Sequence, residues 1–196
     1  METRHKAEID RFAELANVGA GRAASAFAQL VGRRIRTEVP VIVQGEAAHP
    51  FAASDEHDSG WSTGVFFEFE GCLDALVGIL FPGAASEALI RRIVGIESGE
   101  LAPRLIESAL MEVGNILASH VASAIADSLG SRLLPSIPAL AMENAEQALR
   151  SFIENALGPD ALRIESALSD ETGELRGRVV LVPTRLSGRC LSQSGS

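Results

Sequence analysis

The sequence predicts an α+β fold made of two similar halves, in which an antiparallel sheet of about six strands carries two long helices on one face. Residues 10–40 align without a gap on residues 108–138, with ten identities in 31 positions. In each half, a helical pattern of apolar residues is followed by the alternation typical of strands. A period of 98 residues is too long for a solenoid, whose units span roughly 20–50 residues. We therefore expect one domain of two repeats, at about 5–95 and 104–183.

The first repeat opens with a long helix. Residues 5–32 keep the helical period, with Gly32 as a plausible C-terminal cap. Residues 35–43 alternate and are β-branched, and Pro40 makes this strand an edge or bulged one. The remaining predicted elements of this half are a polar loop at 45–60, a hairpin of strands at 64–69 and 73–81, a short helix at 84–94 and a linker at 96–103.

The second repeat keeps this order with variations. The predicted elements are a long helix at 104–129, a strand at 137–142 flanked by proline, an extra helix at 143–157, and strands at 161–169 and 174–182. The Ser- and Gly-rich segment from Thr184 onward leaves little room for the closing helix that a strict repeat would have.

Composition narrows the class of protein. The net charge of −9 and the pI near 5.0 argue against non-specific binding of nucleic acid or of an anionic membrane, which both favour basic patches. The charged N-terminal residues and the absence of an apolar run near 18 residues predict a cytoplasmic protein without signal peptide or membrane span. Cys72 and Cys190 form no metal or redox motif.

The repeated polar residues share one helix face in each half. At 100° per residue, Asp10, Glu14 and Asn17 fall within a sector of about 60° beside the apolar stripe. The equivalent residues of the second helix are Ser108, Glu112 and Asn115. One chain is therefore expected to carry two copies of one polar surface.

These residue types suit the positioning of a water molecule. A carboxamide does not titrate in water, but it donates and accepts hydrogen bonds and can align an attacking water for phosphoryl transfer. A solvated glutamate is a weak base, and it is better suited to pair with a lysine or arginine of a partner. The sequence has no P-loop, no metal-spaced carboxylate cluster and no basic pocket, so the partner would bring both the phosphate and Mg²⁺.

The repeated pattern is Asp or Ser, three residues, Glu, two residues, Asn, 22 residues, Pro, which ends at Pro40 and at Pro138. This pattern resembles the CheC/CheX/FliY family of chemotaxis phosphatases. Because both copies are intact, the chain resembles the two-site CheC type. The resemblance implies a CheC-like fold for almost the whole chain, whereas the polar loop at 45–60 has no obvious counterpart in the family.

The resemblance also implies a function. A protein of this type hydrolyses the aspartyl phosphate of a CheY-like response regulator. Asn17 and Asn115 would place the water, and Glu14 and Glu112 would hold a lysine of the receiver, which supplies its own Mg²⁺. Asp10, Ser108, Pro40 and Pro138 would shape the two sites.

A second hypothesis is a non-catalytic adaptor that binds a receiver domain or the receptor deamidase CheD. CheD is a candidate partner that the resemblance suggests, although no residue of this chain can be assigned to it. Substitution of Asn17 and Asn115 separates the two hypotheses, because hydrolysis should be lost while docking survives.

Three further patterns favour simpler interpretations. The string Gly19–Ala24 has the spacing of a dinucleotide fingerprint but follows a helix instead of a strand. The loop residues His49, Asp55, His57 and Asp58 have no diagnostic metal spacing. His120 is expected on the surface, and Trp61 is expected to pack at a strand start.

Overall fold

The computed structural model describes residues 2–44, 60–71, 73–158 and 161–184. Helices and strands alternate in blocks, as the sequence predicts. In chain order the elements are α1 (Glu2–Val31), β1 (Ile35–Thr37), β2 (Val41–Val43), β3 (Thr63–Gly71), β4 (Ala75–Phe81), α2 (Gly83–Val94), α3 (Pro103–Leu129), β5 (Leu133–Pro135), β6 (Ala139–Ala141), α4 (Ala145–Leu157), β7 (Arg163–Asp170) and β8 (Arg176–Pro183).

All eight strands join one antiparallel sheet that is six strands wide. The order is β1-β7-β8-β4-β3-β5, with β2 also on β7 and β6 also on β3. The central pair β4 and β8 joins the two halves along six residue pairs, from Ala75↔Pro183 to Leu80↔Arg178. If β1 is exchanged with β5, β3 with β7 and β4 with β8, the same order is read from the other edge. The strand pairing therefore has an approximate two-fold symmetry about the β4–β8 pair.

The prediction of one strand at 35–43 is wrong in detail, because this segment forms two three-residue strands, β1 and β2. The strand predicted at 137–142 corresponds to β6, and the sequence analysis did not predict β5, which lies before that range. Proline lacks the N–H that a continuous ladder needs, and Pro40 and Pro138 precede β2 and β6 directly. The break between β1 and β2 and the additional strand β5 give eight strands where about six are predicted, while the sheet stays six strands wide. The edge position predicted from Pro40 is confirmed.

The helices α1, α2 and α3 cover one face of the sheet. The odd-numbered residues of the central strands point into this core, among them Val65, Phe67, Val77 and Ile79. Phe12, Phe27, Leu110 and Leu117 approach from the long helices and are all at most 1% exposed. The predicted placement of both long helices on one face is therefore confirmed.

The extra helix α4 packs on the other face of the sheet. Leu149 and Ile153 contact a smaller apolar cluster that contains Leu76, Leu80 and Val180, the even-numbered strand residues. Trp61 belongs to this cluster and is 5% exposed, so its predicted packing role is confirmed. The positions between β2 and β3 that correspond to α4 in the first half, 45–59, lie outside the described residues.

Helix α3 is long and apolar enough to cross a membrane by length and composition, with a mean hydropathy of 1.3 over 18 residues. Half of that stretch is buried within the fold. Its apolar stripe, which includes Leu110, Val113, Leu117, Val121 and Ile125, packs against the sheet and α1. The hydropathy of α3 is thus explained by its position in the core.

Candidate functional site

The first polar motif lies on the outer surface of α1. Asp10, Glu14 and Asn17 are exposed and follow one another at helical spacing, one turn apart. The residues between them, Leu15 and Ala16, are buried at 1% and 6% exposure, because they belong to the stripe that packs on the sheet side. The amphipathic pattern of α1 therefore fixes which way Glu14 and Asn17 point.

The second motif has the same arrangement on α3. Ser108, Glu112 and Asn115 are exposed, whereas Val113 and Gly114 are buried. The structure thus brings together the residues that the sequence groups in each half, and it places both groups on the solvent side of the helical layer.

The two helices pack antiparallel, so the motifs lie at opposite ends of the pair. A Cβ on Gly19 would lie 3.0 Å from Val121 Cγ1, and the Arg11 side chain reaches the carbonyl of Ser128. Asn17 therefore lies level with about residue 123 of α3, roughly eight residues or about 12 Å from Asn115 along the helix axes. The chain presents two separate surfaces, and neither carboxamide completes the other's site.

Pro40 and Pro138 lie at the two sheet edges, below the motifs. Gly114 of α3 packs against Val65 of β3, whose cross-strand neighbour on β6 is Leu140, two residues after Pro138. In the first half, α1 contacts β7, whose edge partners are the strands on either side of Pro40. Both prolines are half-buried, and each directly precedes a short edge strand.

Exposed apolar side chains precede both prolines. Val39 is 84% exposed and Ile137 is 90% exposed, at equivalent positions of the two halves. The sequence gives a signal for them, since each is a β-branched residue next to a proline that breaks the strand. Each half of the chain therefore exposes one apolar residue directly before the proline at its sheet edge.

The two motifs differ in one charged neighbour that the sequence interpretation missed. Arg11 Nη1 donates a hydrogen bond to Glu14 Oε2 over 2.5 Å, as an i,i+3 ion pair on α1. The equivalent of Arg11 in the second half is Ala109. The spacing of Arg11 and Glu14 was visible in the sequence, but a helix surface offers many such pairs and only coordinates show which are formed.

No metal centre is found in the part of the chain that the structure describes, where no group of three His, Cys, Asp or Glu residues is arranged to hold an ion. The loop residues considered as ligands, His49, Asp55, His57 and Asp58, lie outside the described residues, as do Cys72 and Cys190. His120 is exposed, as predicted. The Gly19–Ala24 string lies inside α1, which has no strand before it, and so lacks the context of a dinucleotide site.

The chemistry open to each Glu/Asn pair is hydrogen bonding and charge pairing on an open helix surface. The carboxamide can donate to and accept from one water, and the carboxylate one turn away can accept from a cation. Both pairs lie exposed on the outer surface of their helices.

Comparison with known proteins agrees with this geometry. A model of the CheC-like family matches residues 13–43 and 105–141, the two segments that contain the Glu/Asn pairs and the short edge strands. One segment of each half therefore matches the model of the CheC-like family. A curated relative, the CheY-P phosphatase CheC of Bacillus subtilis strain 168, is 27% identical over 187 residues, which cover 90% of this chain and 88% of the relative.

Two solved structures, of FliY and CheX, have a similar fold. The FliY structure from Thermotoga maritima matches with a TM-score of 0.63 and 20% identity, covering 90% of this chain and 89% of FliY. The CheX of a CheX-CheY-BeF3-Mg²⁺ complex from Borrelia burgdorferi matches with a TM-score of 0.57 and 14% identity, covering 86% of this chain and 96% of CheX. At these identities the likeness concerns the fold alone.

Proposed function

We propose that this CheC-like protein is a phosphatase that hydrolyses the aspartyl phosphate of a CheY-like response regulator in chemotaxis signalling. One observation carries the proposal: two exposed Glu/Asn pairs with identical spacing lie on the outer faces of two paired helices, within the segments that match the family. The relationship to a CheY-P phosphatase supports it. The protein would act in the cytoplasm, where response regulators are found.

Each asparagine would orient the attacking water. Asn17 and Asn115 are exposed and borne on rigid helices, so a docked receiver would meet a carboxamide in a fixed position. Phosphoryl transfer proceeds through a loose transition state in which positioning supplies much of the catalysis. A carboxamide does not titrate, so each asparagine would orient the water by hydrogen bonds and would not act as its general base.

Each glutamate would hold the receiver by a charge pair. Glu14 and Glu112 lie one turn before the asparagines, and a receiver lysine that binds there would bring the phosphate over the carboxamide. Asp10, Ser108, Pro40 and Pro138 would shape the docking surface around them. The Mg²⁺ needed for the phosphoryl group would come with the receiver.

The test is the decay of a phosphorylated CheY-like receiver with catalytic amounts of the protein. We expect Asn17→Ala with Asn115→Ala to slow the catalysed decay by about 10²-fold or more, since the water loses its positioning group. Asn155→Ala is the matched control, because Asn155 is an exposed asparagine on α4, on the opposite face of the sheet. Full activity in the double variant would exclude the proposed role of both asparagines.

A non-catalytic adaptor is the second candidate. It is favoured by the open surface of both motifs and by Val39 and Ile137, which suit docking more than chemistry. In the same experiment an adaptor would bind a receiver, or CheD, without accelerating the decay. Binding that survives in the double variant together with loss of hydrolysis supports the phosphatase.

A further inference from the structure

The two Glu/Asn motifs are not chemically equivalent. In the first motif the Glu14 carboxylate accepts a hydrogen bond from Arg11 over 2.5 Å. In the second motif the position equivalent to Arg11 is Ala109, and Glu112 has no hydrogen bond or ion pair with any described residue. The carboxylate that would hold a partner's cation is occupied in one half and open in the other.

Arg11 is held in place from both sides. Its Nη2 donates to the Ser128 carbonyl in the last turn of α3, over 3.4 Å, a long bond whose acceptor lies at the negative end of the helix dipole. The Arg11 side chain is 25% exposed, against 63% for the Glu14 side chain. Arg11 therefore lies between the two helices and is fixed by its bond to α3, whereas Glu14 is held only through its bond to Arg11.

The arginine affects an incoming cation in two ways. It occupies the carboxylate, so a partner lysine must displace a hydrogen bond before it can bind Glu14. It also carries a like charge next to the binding position, which opposes the approach of the lysine. Exposed pairs of this kind are weak, so the competition lowers affinity without abolishing it.

We propose that Arg11 makes the first motif the weaker docking site for the receiver, and that the second motif, with Glu112 and Asn115, carries most of the activity. This inference rests on the proposed phosphatase function. Arg11 is a positioning residue, since it acts through Glu14 and not on the phosphate. Its effect is on docking, so KM for the phosphorylated receiver should be about three- to tenfold higher at the first site, with a similar kcat.

The test isolates each site in turn. Asn115→Ala leaves only the first site active, and Asn17→Ala leaves only the second, so KM and kcat of each are measured with one phosphorylated CheY-like receiver. We expect the Asn115→Ala protein to have the higher KM. In that background Arg11→Gln removes the charge and shortens the side chain, which leaves Glu14 open to a partner cation, and it should lower KM to the value of the second site. Arg11→Lys keeps the charge and should leave KM high.

The reverse substitution provides the matched control. Ala109→Arg in the Asn17→Ala background places an arginine three residues before Glu112, and it should raise KM of the second site by a similar factor. A purely structural role for Arg11, as a link between the helices, would lower the melting temperature of Arg11→Gln without the fall in KM.

The outcomes separate the inference from the function on which it rests. Equal KM at the two isolated sites, or an unchanged KM on Arg11→Gln, overturns the role of Arg11 and leaves the phosphatase assignment intact. No acceleration of decay by the unmodified protein with any CheY-like receiver overturns the proposed function, and this inference with it.

Discussion

Gly114 of α3 lies directly against Val65 of β3. A methyl group added to Gly114 would come within 2.7 Å of Val65 Cβ and Cγ1, closer than real atoms approach. Both residues are buried and belong to regular elements, so neither can move aside without a backbone shift. The position of Asn115, the next residue along α3, depends on this contact.

We expect Gly114→Ala to lower the free energy of unfolding by about 1–3 kcal/mol, because overpacking outweighs the gain in helix propensity. Urea denaturation monitored by circular dichroism would measure the loss. The equivalent residue of the first half is Ala16, which already carries the methyl group, so the reciprocal substitution Ala16→Gly creates no clash and serves as the comparison. A Gly114→Ala protein as stable as the original would show that α3 can move away from the sheet at this point.

Unlike Gly114→Ala, the substitution Gly21→Ala should stabilise the protein. It lies inside α1, and a Cβ built there meets nothing within 4 Å. Glycine in a helix interior costs roughly 0.5–1 kcal/mol relative to alanine, so Gly21→Ala should raise the free energy of unfolding by about that amount. Gly19→Ala is the control, since its Cβ would lie 3.0 Å from Val121 and should gain less or lose stability. A lower free energy of unfolding for Gly21→Ala would indicate a contact at Gly21 that the structure does not show.

A buried charge cluster on the α4 side of the sheet should be important for stability. Glu165 accepts hydrogen bonds from Arg163 Nε at 2.6 Å and from Arg178 Nη1 at 2.7 Å, and all three side chains are less than 10% exposed. The guanidinium of Arg178 also lies over the Trp61 ring, 4.5 Å from its centroid. Burial lowers the pKa of Arg178, and Glu165 opposes that shift.

Glu165→Gln removes the negative charge that both arginines share, and we expect a loss of about 3–5 kcal/mol in the free energy of unfolding. Glu171→Gln provides the contrast, because its pair with Arg36 is exposed on both sides and should contribute less than about 1 kcal/mol. Thermal and urea denaturation would compare the two variants. Similar small losses in both would mean that the buried cluster adds little net stability.

Asp170 should make stability depend on acid pH. Burial alone would raise the pKa of this carboxyl, but hydrogen bonds from Thr172, Arg33 and the Leu175 N–H outweigh it and hold the pKa below its usual value. A carboxyl with a lowered folded-state pKa contributes stability above its unfolded pKa, near 3.9, and loses it as pH falls through the folded value.

Melting temperatures measured from pH 7 to pH 2 would show this contribution. We expect Asp170→Asn to be less stable than the original protein at neutral pH, and the difference should shrink as the pH falls below about 4. A difference that stays constant over the whole range would mean that the loss comes from altered hydrogen bonding and not from the charge.

The sequence predicts most of the fold because its long helices and central strands follow clean patterns. Residues 5–32 and 104–129 keep the 3.6-residue period, and the structure has helices at Glu2–Val31 and Pro103–Leu129. The short edge strands were harder, because periodicity over 35–43 does not show where a proline interrupts a ladder. Their pairing with β7 and β3, strands of the opposite half, depends on long-range topology that no local pattern contains.

The candidate site was predictable as a set of residues but not as a set of contacts. The repeat selected Glu14, Asn17, Glu112 and Asn115, and helix geometry then required each pair to share a face. Arg11 lies within the repeat but is replaced by Ala109 in the second half, so a comparison that selects identical residues passes over it. The buried cluster around Glu165 was missed for another reason: alternating charges at 163 and 165 resemble a solvated strand face until the neighbouring β8 is known.

Because of the strand pairing, the helix that bears each motif packs on a strand of the opposite half. Helix α3, which bears Glu112 and Asn115, rests on β3 of the first half, and α1, which bears Glu14 and Asn17, rests on β7 of the second. One half could lose the polar residues of its motif and remain a sound support. It could not lose its strands, because the helix of the other half would then have no sheet to pack against. Substitutions can therefore remove the polar residues of one motif without loss of the fold, whereas deletion of the helix and strands of that half would not be tolerated.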